Sequence, residues 1–106
     1  MRSRRPHHDD ALRALGRTVR ELRARNNLSQ EDLGKRVAMH RNYVGTIERG
    51  EANVGFLNLL RVVAALGVSL SEFVDVWDRQ LRARQALGRL GGDRESHEAA
   101  QQQEAY

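Results

Sequence analysis

The segment LSQEDLGKRVAMHRNYVGTIERG, residues 28–50, limits the possible folds most, because it has the pattern of two short helices joined by a tight turn. Ser29 is placed to cap the first helix, and Asp32 follows at the capping-box spacing, with Asp in place of the usual Glu or Gln. Leu33 and Val37 are four residues apart and fall on one helical face. The segment therefore begins with a predicted short helix that has one apolar side.

A second short helix is predicted over residues 41–49, after a turn formed by residues 38–40. Val44 and Ile47 would face the interior, and Gly50 is well placed as the left-handed residue that ends the helix. The residues left on the outer face of this helix are Arg41, Asn42, Gly45, Thr46 and Arg49.

The outer face of the second helix has side chains that suit the edges of base pairs. Arginine forks onto guanine, asparagine onto adenine, and threonine contacts the thymine methyl, so Arg41, Asn42 and Thr46 predict insertion into the major groove of DNA. Gly45 would remove bulk where the helix backbone approaches the groove. A small amphipathic helix whose polar face meets only water fits these residues equally well.

The order of the residues favours the first interpretation. LSQEDL, a turn and RNYVGTIERG, followed by AALGVSLSEF, closely resemble the helix-turn-helix of the phage-repressor/Cro-type family, also called the Xre family, over about residues 12–77. Three positions depart from the family pattern. Gly34 replaces the usual Ala, and His40 and Gly55 stand where Ser or Thr commonly caps the third and fourth helices. These departures bear on local helix stability rather than on the family.

The resemblance implies a fold class and one long-range contact. The fold is all-α, a five-helix lambda-repressor-like DNA-binding domain with a helix-turn-helix and room for an extended fifth helix. Arg23 would pair with Glu48 and tie the first helix to the third, which would explain an acidic residue close to DNA. The alternative is that Glu48 is simply exposed.

The resemblance, together with the polar face, assigns a set of DNA-binding residues. Gln30 opens the second helix, where free N–H groups favour a phosphate oxygen, and Asn53 lies in a loop that faces the DNA backbone in the family. Tyr43 fits either core packing or a backbone contact. The complete set is Ser29, Gln30, His40, Arg41, Asn42, Tyr43, Thr46, Arg49 and Asn53.

Composition limits the function further. The 106 residues suffice for one domain, and the absence of cysteine excludes disulfides and cysteine-based zinc sites. Residues 1–50 have 12 Arg or Lys against 6 Asp or Glu, whereas residues 51–106 have 6 against 8, so the helix-turn-helix lies in the positive half. That asymmetry favours a polyanionic partner. No membrane span or signal peptide is apparent, and we expect a cytoplasmic protein without metal or cofactor.

The N-terminal part is predicted as a basic flexible arm over residues 1–9, which is either a plain tail or a contact to DNA. A helix capped by Asp9 or Asp10 would run to about Asn26, and its apolar stripe is Leu12, Leu15, Val19 and Leu22. The arginines elsewhere on this helix are expected mostly in water, with one or two near phosphates; they are Arg13, Arg17, Arg20 and Arg25.

The C-terminal part is predicted as two further helices and a polar tail over residues 91–106, so that the domain spans residues 10–90. The core candidates of the fourth helix are Phe56, Leu60, Val63 and Ala64. Ser69 and Glu72 form a second capping box, which begins the fifth helix. The dimer-interface candidates on the fifth helix are Phe73, Trp77 and Leu81; the alternative is that they close the monomer core.

Two functions remain open. One is a sequence-specific transcription regulator that binds an operator in double-stranded DNA as a homodimer; the run HRNYVGTIERGEANV is similar to the controller proteins of restriction–modification systems. The other is an antitoxin-type interaction module that holds a partner protein and autoregulates its promoter. An enzyme is not expected, because no nucleophile–base pair, metal-ligand cluster or phosphate-cradling loop is apparent.

Overall fold

The structure is a computed structural model that describes the backbone of residues 6–91 and the side chains of residues 9–88. Within that range all the regular secondary structure is helical. The five helices are α1 (Pro6–Arg25), α2 (Gln30–Val37), α3 (Arg41–Glu48), α4 (Phe56–Ala65) and α5 (Leu70–Gly91). The predicted all-α, five-helix fold is confirmed, and so is the long fifth helix. Residues 1–5 of the predicted arm and 92–106 of the predicted tail lie outside the described residues.

The beginning of α1 differs from the prediction. The helix begins at Pro6 rather than after a cap at Asp9 or Asp10, so residues 6–9 of the predicted arm are helical. Proline suits the first turn, because its fixed φ matches the helix and its missing N–H would have no partner there. At the other end the left-handed Asn27, with φ of 56°, turns the chain toward α2.

The core is built from one apolar stripe on each helix. The predicted core residues Leu15, Val19 and Leu22 of α1, together with Val44 and Ile47 of α3, are all buried. Leu33 and Val37 of α2, also as predicted, join them with residues of α4 and α5 in one cluster. Helix α3 packs against the long α1, and α2 packs against α3 and α4, so the outward faces of both short helices have fixed directions.

The buried face of α4 was predicted incorrectly. Phe56 is 65% exposed and Ala64 is also exposed, whereas Val62 and Leu66 are buried beside the correctly predicted Val63. Only Asn58 and Arg61 are polar in the segment FLNLLRVVAA, so more than one apolar face is available and the sequence pattern alone pointed to the wrong one. The packing of α4 against its neighbours makes that choice.

Helix α5 packs along α1. Its capping box is confirmed, because Ser69 N donates to Glu72 Oε1 at 2.8 Å and Glu72 N donates to Ser69 Oγ at 3.0 Å. Trp77 Nε1 donates to the Ala11 carbonyl at 3.0 Å, and Gln80 Nε2 donates to Glu21 Oε1 at 2.9 Å. These bonds align the first part of α5 with α1.

Phe73 is not available for a dimer interface, so that part of the sequence prediction is wrong. Its side chain is 0% exposed and lies in the core of its own chain. Trp77 meets Phe73 edge to face, with 6.3 Å between ring centroids, and packs partly buried against the same core. Leu81 is half-buried, so Trp77 and Leu81 retain some surface for a partner.

None of the helices within residues 6–91 is long and apolar enough to cross a membrane.

Candidate nucleic-acid interface

The turn between α2 and α3 is held by backbone contacts around Gly34. Met39 N donates to the Gly34 carbonyl at 2.8 Å, and Ala38 adopts left-handed angles with φ of 58°. A Cβ atom on Gly34 would lie 2.5 Å from the Met39 carbonyl oxygen. The glycine that departs from the family pattern therefore lets this turn close tightly and sets the spacing between the two helices.

The helix α2 begins as its sequence predicts. Asp32 N donates to Ser29 Oγ and Ser29 N donates to Asp32 Oδ2, both at 2.9 Å. The hydrogen bond from the Ser29 backbone is the main reason that the pKa of Asp32 lies below its usual value. The exposed Ser29 hydroxyl and the half-buried Gln30 thus stand at a firmly capped helix N-terminus, where free N–H groups favour anions.

His40 caps the helix α3 with its own side chain. Its Nδ1 atom accepts the backbone N–H of Asn42 at 2.9 Å. An imidazole nitrogen that accepts a hydrogen bond has no proton, so the neutral ring has its proton on Nε2. The departure from Ser or Thr at this position therefore keeps the cap and adds an exposed ring at the first turn of α3.

The outer face of α3 presents three of the predicted base-reading side chains. Arg41 and Asn42 are exposed, and Thr46 is half-buried. Arg41 Nη1 lies 3.9 Å from Glu31 Oε1, and Thr46 Oγ1 donates to the Asn42 carbonyl at 2.9 Å. The arginine and the asparagine side chains are therefore accessible at the start of the helix, and the threonine rotamer is held by its own backbone.

Gly45 was expected on this outer face, and the structure corrects that assignment. It is buried, and a Cβ atom there would lie 3.2 Å from Arg49 Nη1 and 3.5 Å from Gln30 Oε1. The glycine makes room for these two side chains to cross the middle of α3. Its small size thus leaves space on this side of α3 for both the Gln30 amide and the Arg49 guanidinium.

A polar network behind α3 sets its orientation. Arg23 donates through Nε to Glu48 Oε2 at 2.6 Å and through Nη2 to Glu48 Oε1 at 3.0 Å, so the predicted pair is confirmed and the Glu48 side chain is only 5% exposed. Gln30 Nε2 donates to the same Oε1 at 3.1 Å, a contact that the sequence did not predict. The hydrogen bond to Glu48 is the main reason that the pKa of Arg23 is raised above its usual value.

The C-terminal end of α3 has a second arginine contact. Arg49 Nε donates to Glu51 Oε1 at 3.1 Å, and Arg49 Nη2 donates to Thr46 Oγ1 at 3.4 Å. Asn53 is exposed in the loop that follows. These side chains continue the polar surface from α3 toward α4. Tyr43 is half-buried and packs against the core cluster, which favours packing as its main role.

Gly16 of α1 also positions α3, and the sequence reasoning missed it. A Cβ atom there would lie 2.4 Å from the Glu48 carbonyl oxygen and 2.5 Å from that of Ile47. The helix α1 therefore crosses the C-terminal end of α3 at backbone distance. A single glycine inside an otherwise good helical pattern was the only signal available.

The described residues contain no group of three or more His, Asp or Glu side chains that could hold a metal ion.

Comparisons with known proteins agree with this geometry. A sequence model described as helix-turn-helix matches residues 19–73, which is more than half of the chain. The control protein C.BamHI of Bacillus amyloliquefaciens is 39% identical over 62 residues, which are 58% of this chain and 76% of that protein.

Among the solved structures that are similar in fold are two regulators from other bacteria. The restriction-modification controller protein C.AhdI from Aeromonas hydrophila matches with a TM-score of 0.57 and 40% identity, over 58% of this chain and 94% of that one. The clp gene regulator ClgR from Corynebacterium glutamicum matches with a TM-score of 0.72 and 25% identity, over 76% of this chain and 85% of that one. With its capped α2, its exposed α3 face and these relatives, the chain belongs to the helix-turn-helix family of DNA-binding transcriptional regulators.

Proposed function

We propose that this protein is the controller of a restriction–modification system, a regulator that binds a specific operator as a homodimer. The observation that supports this most is the exposed start of α3, where Arg41 and Asn42 stand free of the core on a helix whose orientation is held by the Arg23–Glu48 pair. The similarity to C.BamHI and C.AhdI, both named as control or controller proteins, supports the choice of system. Such a regulator works where the chromosome is, in the cytoplasm.

The side chains divide into two roles. Arg41, Asn42 and Thr46 read base edges in the major groove, because their donors, acceptors and methyl group match those edges. The phosphate contacts come from Ser29, Gln30, His40, Arg49 and Asn53, which lie around the ends of α2 and α3. Phosphate contacts set the register of the helix on DNA, and base contacts select the sequence. Tyr43 supports the helix from the core side.

Two of the residues assigned to phosphate contacts, Gln30 and His40, retain a free donor. The second N–H of the Gln30 amide remains available while the first is bonded to Glu48. His40 keeps its Nε2–H for a phosphate oxygen while Nδ1 caps the helix. The contact with Glu48 and the cap of α3 therefore hold these two side chains and leave one donor of each unused.

Two copies are needed because one recognition helix reads only a few base pairs, and a two-fold pair doubles the contacts. Trp77 and Leu81 remain candidates for the surface between copies, since both are only partly buried. The exposed apolar side chains Leu57, at 74%, and Val74, at 44%, are further surface that a second copy would cover. The antitoxin-type alternative has less support, because the relatives named above are regulators.

The decisive experiment is a selection of genomic fragments bound by the purified protein, followed by affinity measurements on the recovered fragment and on a scrambled duplex. The native protein should prefer the recovered fragment by at least about a thousandfold. Equal affinity for both duplexes would rule out a sequence-specific regulator.

Two variants separate the roles of the interface. Arg41→Ala should cost roughly 1–3 kcal/mol on the recovered fragment and relax the preference at one base pair. Gln30→Ala should weaken binding to both duplexes to a similar degree. A shift of base preference in Gln30→Ala, or equal losses on both duplexes in Arg41→Ala, would contradict these assignments.

A further inference from the structure

The arginines on the outer face of α1 differ from the other described arginines. Most exposed arginines in the described part of the chain form a hydrogen bond or an ion pair with another described residue. Examples are Arg82 with Asp78 at 2.9 Å and Arg25 with Glu21. The described arginines to which no such bond or ion pair is assigned are Arg13, Arg17, Arg20 and Arg79. Three of these four lie on α1.

These three arginines share one side of α1. Arg13 and Arg17 are four residues apart and Arg17 and Arg20 three apart, which places them on neighbouring turns of one face. All three are exposed. Like charges at this spacing repel each other and weaken an isolated helix. A stripe of three unpaired like charges is therefore better explained by a polyanionic partner than by helix stability.

The stripe lies beside the C-terminal end of α3. Arg13 packs against Gly50 just after α3, since a Cβ atom on that glycine would lie 2.7 Å from Arg13 Cγ. Arg20 lies between Gly16 and Arg23 on α1, and both of those residues contact Glu48 of α3. The charged stripe is thus continuous with the C-terminal end of α3, where Arg49 and Asn53 lie.

The carboxylates nearest the stripe are engaged with other groups. Asp9, one turn before Arg13, has an interaction of its own, and Asp10 Oδ1 lies 3.5 Å from Arg84 Nε. Glu21 accepts from both Arg25 and Gln80, and Glu51 accepts from Arg49. The positive charge of the stripe is therefore little compensated by the neighbouring carboxylates on α1 and in the loop after α3.

We propose that Arg13, Arg17 and Arg20, the α1 arginine stripe, bind the phosphate backbone of double-helical DNA that flanks the base pairs read by α3. This inference rests on the proposed DNA-binding function and adds a second, sequence-independent contact region. The match is one of charge and continuity: three guanidinium groups in a row meet a backbone of regularly spaced phosphates. The stripe adds affinity without adding sequence preference, because phosphates are the same at every base pair.

The test compares the double variant Arg17→Gln/Arg20→Gln with the native protein on two duplexes. One duplex contains only the selected operator, and the other adds ten base pairs of unrelated DNA on each side. The native protein should bind the longer duplex more tightly at low salt. The variant should lose roughly tenfold in affinity on the longer duplex, and its slope of log affinity against log salt should fall by about 2.

The matched control is Arg79→Gln/Arg82→Gln on α5, which removes the same charge at the same helical spacing. It should retain the native affinity, length dependence and salt slope. The proposal would be overturned if the stripe variant had the same affinities and salt slope as this control on both duplexes. It would also be overturned if the stripe bound an acidic protein surface rather than DNA.

The failure of this inference is distinguishable from failure of the proposed function. If the native protein prefers the operator over a scrambled duplex but binds no more tightly when flanking DNA is added, the proposed function is supported and the proposed role of the stripe is contradicted. If the native protein has no sequence preference, the proposed function is contradicted. The comparison of affinities on the two duplex lengths, and of their salt dependence, still decides whether the stripe binds DNA. Circular dichroism of both double variants should remain native, because the substituted side chains are exposed.

Discussion

The contacts around α3 differ in kind from those at α4. Around α3, the Arg23–Glu48 pair, the Gln30 amide and two side-chain caps are directional polar contacts with distances of 2.6–3.1 Å. The helix α4, by contrast, begins after Gly55, which has no side chain with which to cap it. Its half also has the exposed large apolar side chains Phe56, Leu57, Leu70, Val74 and Leu87.

This difference has a functional meaning. Directional bonds fix the orientation of α3, and a base-reading helix that is displaced by a small distance loses its hydrogen bonds. Apolar packing is not directional, so α4 and the start of α5 can bury their remaining surface against a second copy. Under the proposed function, the first half serves recognition and the second half serves association.

The largest test of this comparison is the loss of the polar network. Arg23→Ala should lower the free energy of unfolding by about 3 kcal/mol, because the nearly buried Glu48 would retain only the Gln30 amide. Urea denaturation measures the change. Replacing both partners, as in Arg23→Met/Glu48→Leu, should recover much of the loss. A cost below about 1 kcal/mol for the single variant would mean that the network does not hold α3.

The second test concerns association. Val74→Asp should raise the dissociation constant of the homodimer by roughly tenfold or more, about 1.4 kcal/mol, because a carboxylate would be buried between copies. Sedimentation velocity at several concentrations measures this. The control is Leu87→Asp, at a site 69% exposed toward the far end of α5. If Leu87→Asp dissociated the homodimer and Val74→Asp did not, the interface would have to be assigned to the far end of α5 instead.

A third test isolates the unusual cap of α3. His40→Ala should cost about 1 kcal/mol of stability, because the Asn42 N–H would lose its acceptor. Thermal unfolding measures the difference. His40→Ser provides another capping oxygen and should retain most of the native stability. Equal losses in both variants would show that the ring packs rather than caps.

The smallest effect is expected from pH at the two capping boxes, one in each half. Hydrogen bonds from Ser29 and Ser69 lower the pKa of Asp32 and of Glu72, respectively, mainly through the backbone N–H. An unfolded chain therefore takes up these protons first, so the caps stabilise the fold above the ordinary carboxyl pKa of about 4 and lose that effect as the pH falls further.

Acid titration of the unfolding free energy checks this expectation. Asp32→Asn and Glu72→Gln should each flatten the decline below about pH 4. Asp75→Asn, at an exposed carboxylate outside either capping box, is the control and should leave the curve unchanged. An unchanged curve in the two cap variants would mean that other carboxylates cause the acid destabilisation.

Most of the local structure was predictable from the chain because its causes are local. The capping boxes at Ser29 and Ser69 each involve residues three positions apart, and Gly50, with φ of 77°, ends α3 as expected. The Arg23–Glu48 pair is 25 residues apart in sequence, and it was expected only through the family resemblance. The start of α1 was missed because a proline was assigned to the arm rather than to the first turn.

The sequence by itself determined the five helices, the capping boxes of α2 and α5, and most of the polar face that α3 presents, since these depend on periodicity and on neighbouring residues. Only the tertiary structure decided which side of the nearly all-apolar α4 is buried, that Phe73 belongs to the core, and that Gly16 and Gly45 lie beneath close contacts. Each of these depends on how near another helix comes. That distance is set by the packing of the whole domain and leaves no pattern in the residues around a single position.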